Sequence, residues 1–151
     1  MQKIKVSLIG YGYWGSKLAR NFQNSNFFNL VSIIDVSKKN LSKAKKDFPL
    51  VKTDKNYKNL LKVKNVSLVV ISTPTKTHSE IAEFALENKK HTLVEKPLSL
   101  SLNNVNKLEK LAKKNGKLLF VDYPFIFSGS INYIKKIIDS KKYGNLLEIE
   151  S

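Results

Sequence analysis

Strand and helix signals alternate along this chain with short connections, which predicts an α/β fold built on a doubly wound parallel sheet. Three observations carry that prediction. Apolar runs such as residues 66–72 are nearly continuous, as in a strand buried on both faces. Segments with apolar residues at helical spacing lie between such runs. The first run, Ile4-Lys5-Val6-Ser7-Leu8-Ile9, leads directly into Gly10-Tyr11-Gly12-Tyr13-Trp14-Gly15, a G-x-G-x-x-G turn set between a strand and a helix.

The elements follow in order. Residues 3–9 read as a strand and 15–24 as a helix that faces Leu18, Ala19 and Phe22 inward. A second strand spans 30–34 and ends at Asp35. Ser37 is a plausible N-cap for a helix over 38–47, which Pro49 closes. Asp54 is read as the cap of a short helix running to Leu61. Residues 66–72 form a buried strand, and 77–88 a helix with Ile81, Phe84 and Ala85 at helical spacing. A short strand at 92–95 precedes a helix at 102–115, which Gly116 ends. A strand at 117–122, a helix at 130–140 and a strand at 146–151 complete the chain. That last strand is expected to find its partners in residues beyond this sequence.

Composition narrows the classes of function. The 151 residues suit one domain with a real core, and 42% hydrophobic content argues against general disorder. Without cysteine there are no disulfides or thiolate metal ligands, and no metal site is expected. Lysines interrupt the first apolar stretch, unlike a signal peptide, and no apolar run approaches the roughly 18 residues of a membrane helix. A cytoplasmic location is the expectation, with neither membrane nor nucleic acid as partner. The formal charge of +15 would suit a nucleic-acid binder, but Arg20 is the single arginine. Specific readers rely on arginine's planar fork, and the lysines here are scattered, as on a solvated surface.

The motifs carry the chemistry. In the glycine loop, Gly10 permits a tight turn, Gly12 lets backbone approach a pyrophosphate, and Gly15 lets the helix sit close. The following helix aims free N–H groups and its positive dipole end at phosphates. Asp35 stands twenty residues after Gly15, where a carboxylate accepts from the adenosine ribose hydroxyls and repels a 2′-phosphate. NAD is therefore favoured over NADP, although Lys38 and Lys39 lie close by, and Asp35 as a simple turn cap remains open. Ser72-Thr73-Pro74-Thr75 leaves the most apolar strand towards the sheet edge where ligands sit. His78 follows, either at that edge or as an ordinary helix-start histidine. Glu95-Lys96-Pro97 leaves another strand at the same edge, where a lysine could polarise a substrate oxygen or shuttle its proton. Pro97 fixes the local backbone and could be cis.

These three motifs, in this order and spacing and with Val94 and Leu98 flanking the last, resemble the N-terminal NAD-binding Rossmann domain of the Gfo/Idh/MocA oxidoreductases. Gly-Tyr-Trp-Gly followed by Leu18-Ala19-Arg20-Asn21-Phe22 is similar to the branch acting on UDP-N-acetylglucosamine and its uronic acid at the 3-hydroxyl. Val121-Asp122-Tyr123-Pro124-Phe125 and Ile134-Lys135-Lys136-Ile137-Ile138-Asp139 look like that branch's passage into its second domain. The resemblance therefore implies a dinucleotide-binding domain over 1–123, with 124–151 as the crossover helix and first strand of a truncated substrate domain. Branch members often carry histidine and threonine where this chain has Tyr123 and Pro124.

The resemblance implies that Gly10, Tyr11, Gly12, Tyr13, Trp14, Gly15 and Asp35 hold the dinucleotide. It implies that Ser72, Thr73, Pro74 and His78 line its nicotinamide side. Glu95 and Lys96 match the signature pair, with Lys96 beside the substrate hydroxyl and Pro97 shaping the turn. It further implies hydride transfer with a sugar or nucleotide sugar, a homo-oligomeric complete enzyme, and most sugar contacts in the missing domain. The isolated chain is then expected to be inactive. The alternative is a non-catalytic NAD(H)-binding module, which would have no use for Glu95-Lys96-Pro97.

Overall fold

The computed structural model describes residues 2–62 and 65–150. Six parallel strands form one sheet: β1 (Ile4–Ile9), β2 (Phe28–Ile34), β3 (Lys52–Asp54), β4 (Leu68–Ile71), β5 (His91–Glu95) and β6 (Leu119–Asp122). Their spatial order is β3-β2-β1-β4-β5-β6. The chain winds outward from β1 to β3, then returns to lay β4 on the other side of β1. The crevice beyond the carboxyl ends of β1 and β4 is the topological switch point, where ligands of open α/β sheets bind.

Alternation along the strands feeds two cores. Val6 and Leu8 of β1 and Val70 of β4 join Ala19 of α1 (Tyr13–Asn24) and Ala44 of α2 (Lys38–Asp47). Ile9, Val69 and Ile71 join Ile81, Ala85 and Leu86 of α3 (His78–Glu87) and Leu108 and Ala112 of α4 (Leu102–Lys114). Helices therefore cover both faces, as a doubly wound sheet requires. The polar pair Ser7 and Ser32 lies buried mid-sheet and is satisfied by a mutual hydrogen bond.

Several expectations are corrected. Residues 52–54 form an edge strand that pairs with Ser32–Ile34, although three residues including a lysine show no strand periodicity. The short helix after Asp54 is a 3-10 helix (Tyr57–Lys62), and Asp54 Oδ1 accepts from the Asn56 N–H, 2.8 Å away, just before it. Helix α1 begins two residues early, at Tyr13, and β2 begins at Phe28. Residues 146–150 form no strand, because none of the described strands runs beside them to complete a ladder; Ser151 lies outside the described residues. Preceding them, a 3-10 turn (Pro124–Phe127) leads into α5 (Gly129–Ser140), which has no buried residue. Among the described residues no helix is long and apolar enough to cross a membrane.

Candidate functional site

A cavity of about 730 Å³ opens at the switch point, and five strand exits contribute to its wall, that of β3 through Lys55. Gly10, Gly12, Tyr13 and Trp14 come from the β1 exit and Asp35 to Ser37 from β2. Ser72 to Thr75 come from β4, and Glu95 and Lys96 from β5. His78 and Glu80 of α3 close one side.

The three glycines have separate structural reasons. Gly10 has φ +94°, and a Cβ there would lie 2.4 Å from the Ser72 carbonyl oxygen. A Cβ on Gly15 would lie 2.0 Å from the Gly10 carbonyl oxygen, so the first turn of α1 packs directly on the loop backbone. Gly12 has nothing within 4 Å of its Cβ position and borders the cavity. It also caps α1, whose first turn carries no acidic residue to neutralise the positive end of the helix dipole. An open cradle of this kind fits a pyrophosphate.

Asp35 is both a turn cap and a wall residue. Its Oδ2 accepts from the Tyr11 N–H (2.6 Å) and the Asn40 side-chain amide (3.1 Å), and its Oδ1 from the Ser37 N–H (2.8 Å). A carboxylate offers about four acceptor positions, so Oδ1 retains one for a ligand hydroxyl. The Asp35 cap thereby ties the glycine loop to the start of α2.

At the mouth, Tyr13 and Trp14 are 72% and 58% exposed and meet edge to face. Lys17 Nζ lies 4.1 Å and 4.5 Å from the two ring centroids and donates to the Tyr13 hydroxyl, which lowers that phenol's pKa. On the α3 side, Tyr57 stacks edge-on against Phe84 and donates its hydroxyl to Glu80. Burial and that carboxylate push the Tyr57 phenol up to about 12.

At the opposite end, Glu95 is half-buried and Lys96 exposed, with a cis peptide bond between Lys96 and Pro97. Burial, and then Asp122 in register on β6, raise the Glu95 carboxyl pKa against the opposing pull of Lys96 and His78. Among the described residues no group of three or more His, Asp or Glu is placed to hold a metal ion.

A family model described as an oxidoreductase family with an NAD-binding Rossmann fold matches residues 4–123. The chain belongs to the Gfo/Idh/MocA family. It is 31% identical over 148 residues to a 1-carboxy-3-chloro-3,4-dihydroxycyclohexa-1,5-diene dehydrogenase of Comamonas testosteroni, covering 98% of this chain and 37% of that one. It is 29% identical to a myo-inositol 2-dehydrogenase of Thermotoga maritima, covering 93% of this chain and 42% of the relative. Among solved structures, the myo-inositol 2-dehydrogenase of Lactobacillus plantarum superposes with a TM-score of 0.88 at 27% identity, over 97% of this chain and 44% of that one. Biliverdin reductase of Synechocystis, solved with biliverdin and NADP+, gives 0.81 at 32% identity, over 88% of this chain and 42% of that one. The chain thus spans about two fifths of the length of these relatives.

Within this Gfo/Idh/MocA domain the cavity collects most of the residues singled out in the sequence. Three of them do not line it. Gly15 acts through packing, and Pro97 presents its carbonyl to His78. Tyr11 turns its side chain into the core, 2% exposed, where its hydroxyl donates to Asp47 (2.7 Å) and its ring meets Phe48. Only its backbone N–H serves the loop. Conversely, Asn40, Lys55, Tyr57 and Glu80 border the cavity without having been singled out. Asn40 was traceable, since it lies five residues after Asp35 in the first turn of α2; Tyr57 carries no comparable signal.

Proposed function

We propose that this chain is the cofactor half of an NAD-dependent dehydrogenase that exchanges hydride with a hydroxyl of a sugar or nucleotide sugar. The observation that carries the reading is one cavity bordered by the glycine loop, Asp35, Thr73 and Lys96, each from a different strand exit. The relatives named as inositol dehydrogenases support a polyol-like substrate. The narrower nucleotide-sugar reading rests on Gly12 to Gly15 with Leu18 to Phe22, and on Val121 to Phe125 with Ile134 to Asp139.

In this reading the α1 N-terminus and the open backbone at Gly12 receive the pyrophosphate, and Asp35 the ribose. Ser72, Thr73 and Pro74, with His78 behind them, wall the nicotinamide side. Bound there, the dinucleotide supplies the hydride acceptor or donor. Lys96 stands beside the substrate hydroxyl, where it either polarises the oxygen as a cation or takes up the proton as the neutral amine and returns it. Glu95 and Pro97 set the position of that lysine. Residues 124–151 lead into a substrate domain, on whose sheet 146–151 would become a strand. The exposed apolar side chains of this segment and the greater length of the relatives support that extension.

Trp14, the single tryptophan, borders the cavity and offers a fluorescence probe. Titration should show NADH binding more tightly than NADPH, and the reverse order would overturn the Asp35 assignment. The isolated chain should bind without appreciable turnover, since positioning of substrate is missing. Robust oxidation of a nucleotide sugar by this chain would remove the need for a second domain.

A further inference from the structure

The first turn of α3 ties together the two loops that leave β4 and β5. Ser79 Oγ donates to Ser99 Oγ at 2.8 Å. One residue earlier, His78 is 1% exposed and places Nε2 2.7 Å from the Thr73 carbonyl oxygen and Nδ1 2.8 Å from the Pro97 carbonyl oxygen. Both partners are carbonyls, which only accept. A neutral imidazole has a single N–H, so it satisfies one carbonyl and turns a lone pair on the other. Turning the ring over puts carbons where the nitrogens lie and forfeits both contacts. Only the doubly protonated ring donates to both, through charge-assisted bonds.

We propose that His78 is a buried imidazolium clamp: a positioning residue that holds the Thr73 and Pro97 carbonyls together and sets the loop carrying Lys96. Glu95 at the β5 exit is the opposing charge, and it feels His78 electrostatically. Charged groups bordering the same cavity are Lys96 beside Glu95, Glu80 on the same turn of α3 and Lys55 after β3, with Asp122 opposite Glu95 on β6 and Lys76 in the preceding 3-10 turn. A further consequence rests on the proposed dinucleotide reading. A fixed positive charge at the nicotinamide end disfavours NAD+ relative to NADH, so the clamp biases the site towards the reduced cofactor.

The chain has two histidines, which makes the test direct. Long-range proton–nitrogen correlation spectra of chain labelled at histidine nitrogen report each ring's protonation, and His91→Gln assigns the signals. His91 is an internal reference, because its Nδ1 accepts from the Leu118 N–H and burial lowers its pKa. At pH 7 His78 should show two protonated nitrogens, and His91 one bare nitrogen. One bare nitrogen on His78 at pH 7 overturns the clamp, whatever the cofactor does. The ratio of NAD+ to NADH dissociation constants should fall several-fold in His78→Gln, which removes the charge and keeps one donor. An unchanged ratio in that variant, folded as judged by its melt, overturns the redox bias. A doubly protonated His78 in a chain that binds no dinucleotide upholds the clamp and refutes the cofactor reading.

Discussion

Helices α4 and α5 carry closely similar apolar stripes, Val105, Leu108, Leu111 and Ala112 in one and Ile131, Ile134, Ile137 and Ile138 in the other. Their fates differ. Leu108 is 1% exposed and packs in the core beneath α3 and the sheet, whereas Ile134 is 50% exposed. Helix α5 rests on the 3-10 turn before it, and Phe125, Phe127 and Tyr143 around it are exposed as well. An apolar stripe states that a face is to be covered but not what covers it. Over residues 4–122 the sheet supplies the cover; over 123–150 the described elements leave Ile131 and Ile134 about half exposed. Large exposed apolar patches usually mark an interaction surface.

The largest effect that tests this contrast comes from two glycines, each in the first turn of a helix. Gly15→Ala places a Cβ 2.0 Å from the Gly10 carbonyl oxygen, so backbone must shift. A loss on the order of 4 kcal/mol is expected, with loss of NADH binding, because the glycine loop must open. Gly129→Ala in α5 meets nothing within 4 Å and should gain up to about 1 kcal/mol by restricting the unfolded chain. Thermal and urea unfolding of both variants checks the pair. Equal costs at the two sites would show that α5 is held as tightly as α1.

The stripes themselves come next. Leu108→Ala leaves a cavity between α4, α3 and the sheet and should cost about 2–5 kcal/mol. Ile134→Ala should stay within about 0.5 kcal/mol, since half its surface already meets water. A cost for Ile134→Ala approaching that of Leu108→Ala would mean that α5 is packed in solution, by a second copy of the chain or by its own rearrangement. Repeating the melt at several protein concentrations separates those two.

The same distinction explains what was legible in the sequence. Strands buried on both faces and helices over them left strong periodic signals, because the sheet imposes one environment on every residue of a run. Edge strand β3 borrows its order from Ser32–Ile34, so its own three residues carry no pattern. Residues 146–150 carry a strand pattern without a ladder to join. In the site, Gly10, Gly15 and Asp35 were legible because each is demanded by backbone geometry within its own turn. Tyr11 was misplaced for the same reason. The loop motif specifies its backbone, while its side chain belongs to the core beside Phe48. Tyr57 and Glu80 meet across a sequence separation of 23, which no local pattern encodes.

Two carboxylates give the finest version of the contrast, and the smallest energy. Asp139 in α5 forms an exposed pair with Lys135, of a kind worth about 0.2–1 kcal/mol at most. Glu95 sits half-buried at the end of β5, with its pKa raised by burial and by Asp122. The folded state therefore holds the Glu95 proton more tightly than the unfolded chain does. Stability falls as pH rises from the ordinary carboxyl value of 4.5 through the raised one, and the penalty is complete at neutral pH. Below that ordinary value both states are protonated and the penalty is gone. Glu95→Gln should accordingly raise the urea midpoint at pH 7, and the gain should shrink steadily as the solution is acidified. Asp139→Asn should change little at any pH beyond loss of its surface pair. A Glu95→Gln gain that persists undiminished in acid would mean that the carboxylate's charge is not the penalty. The half-buried wall at β5 and β6 would then be as well solvated as the surface of α5.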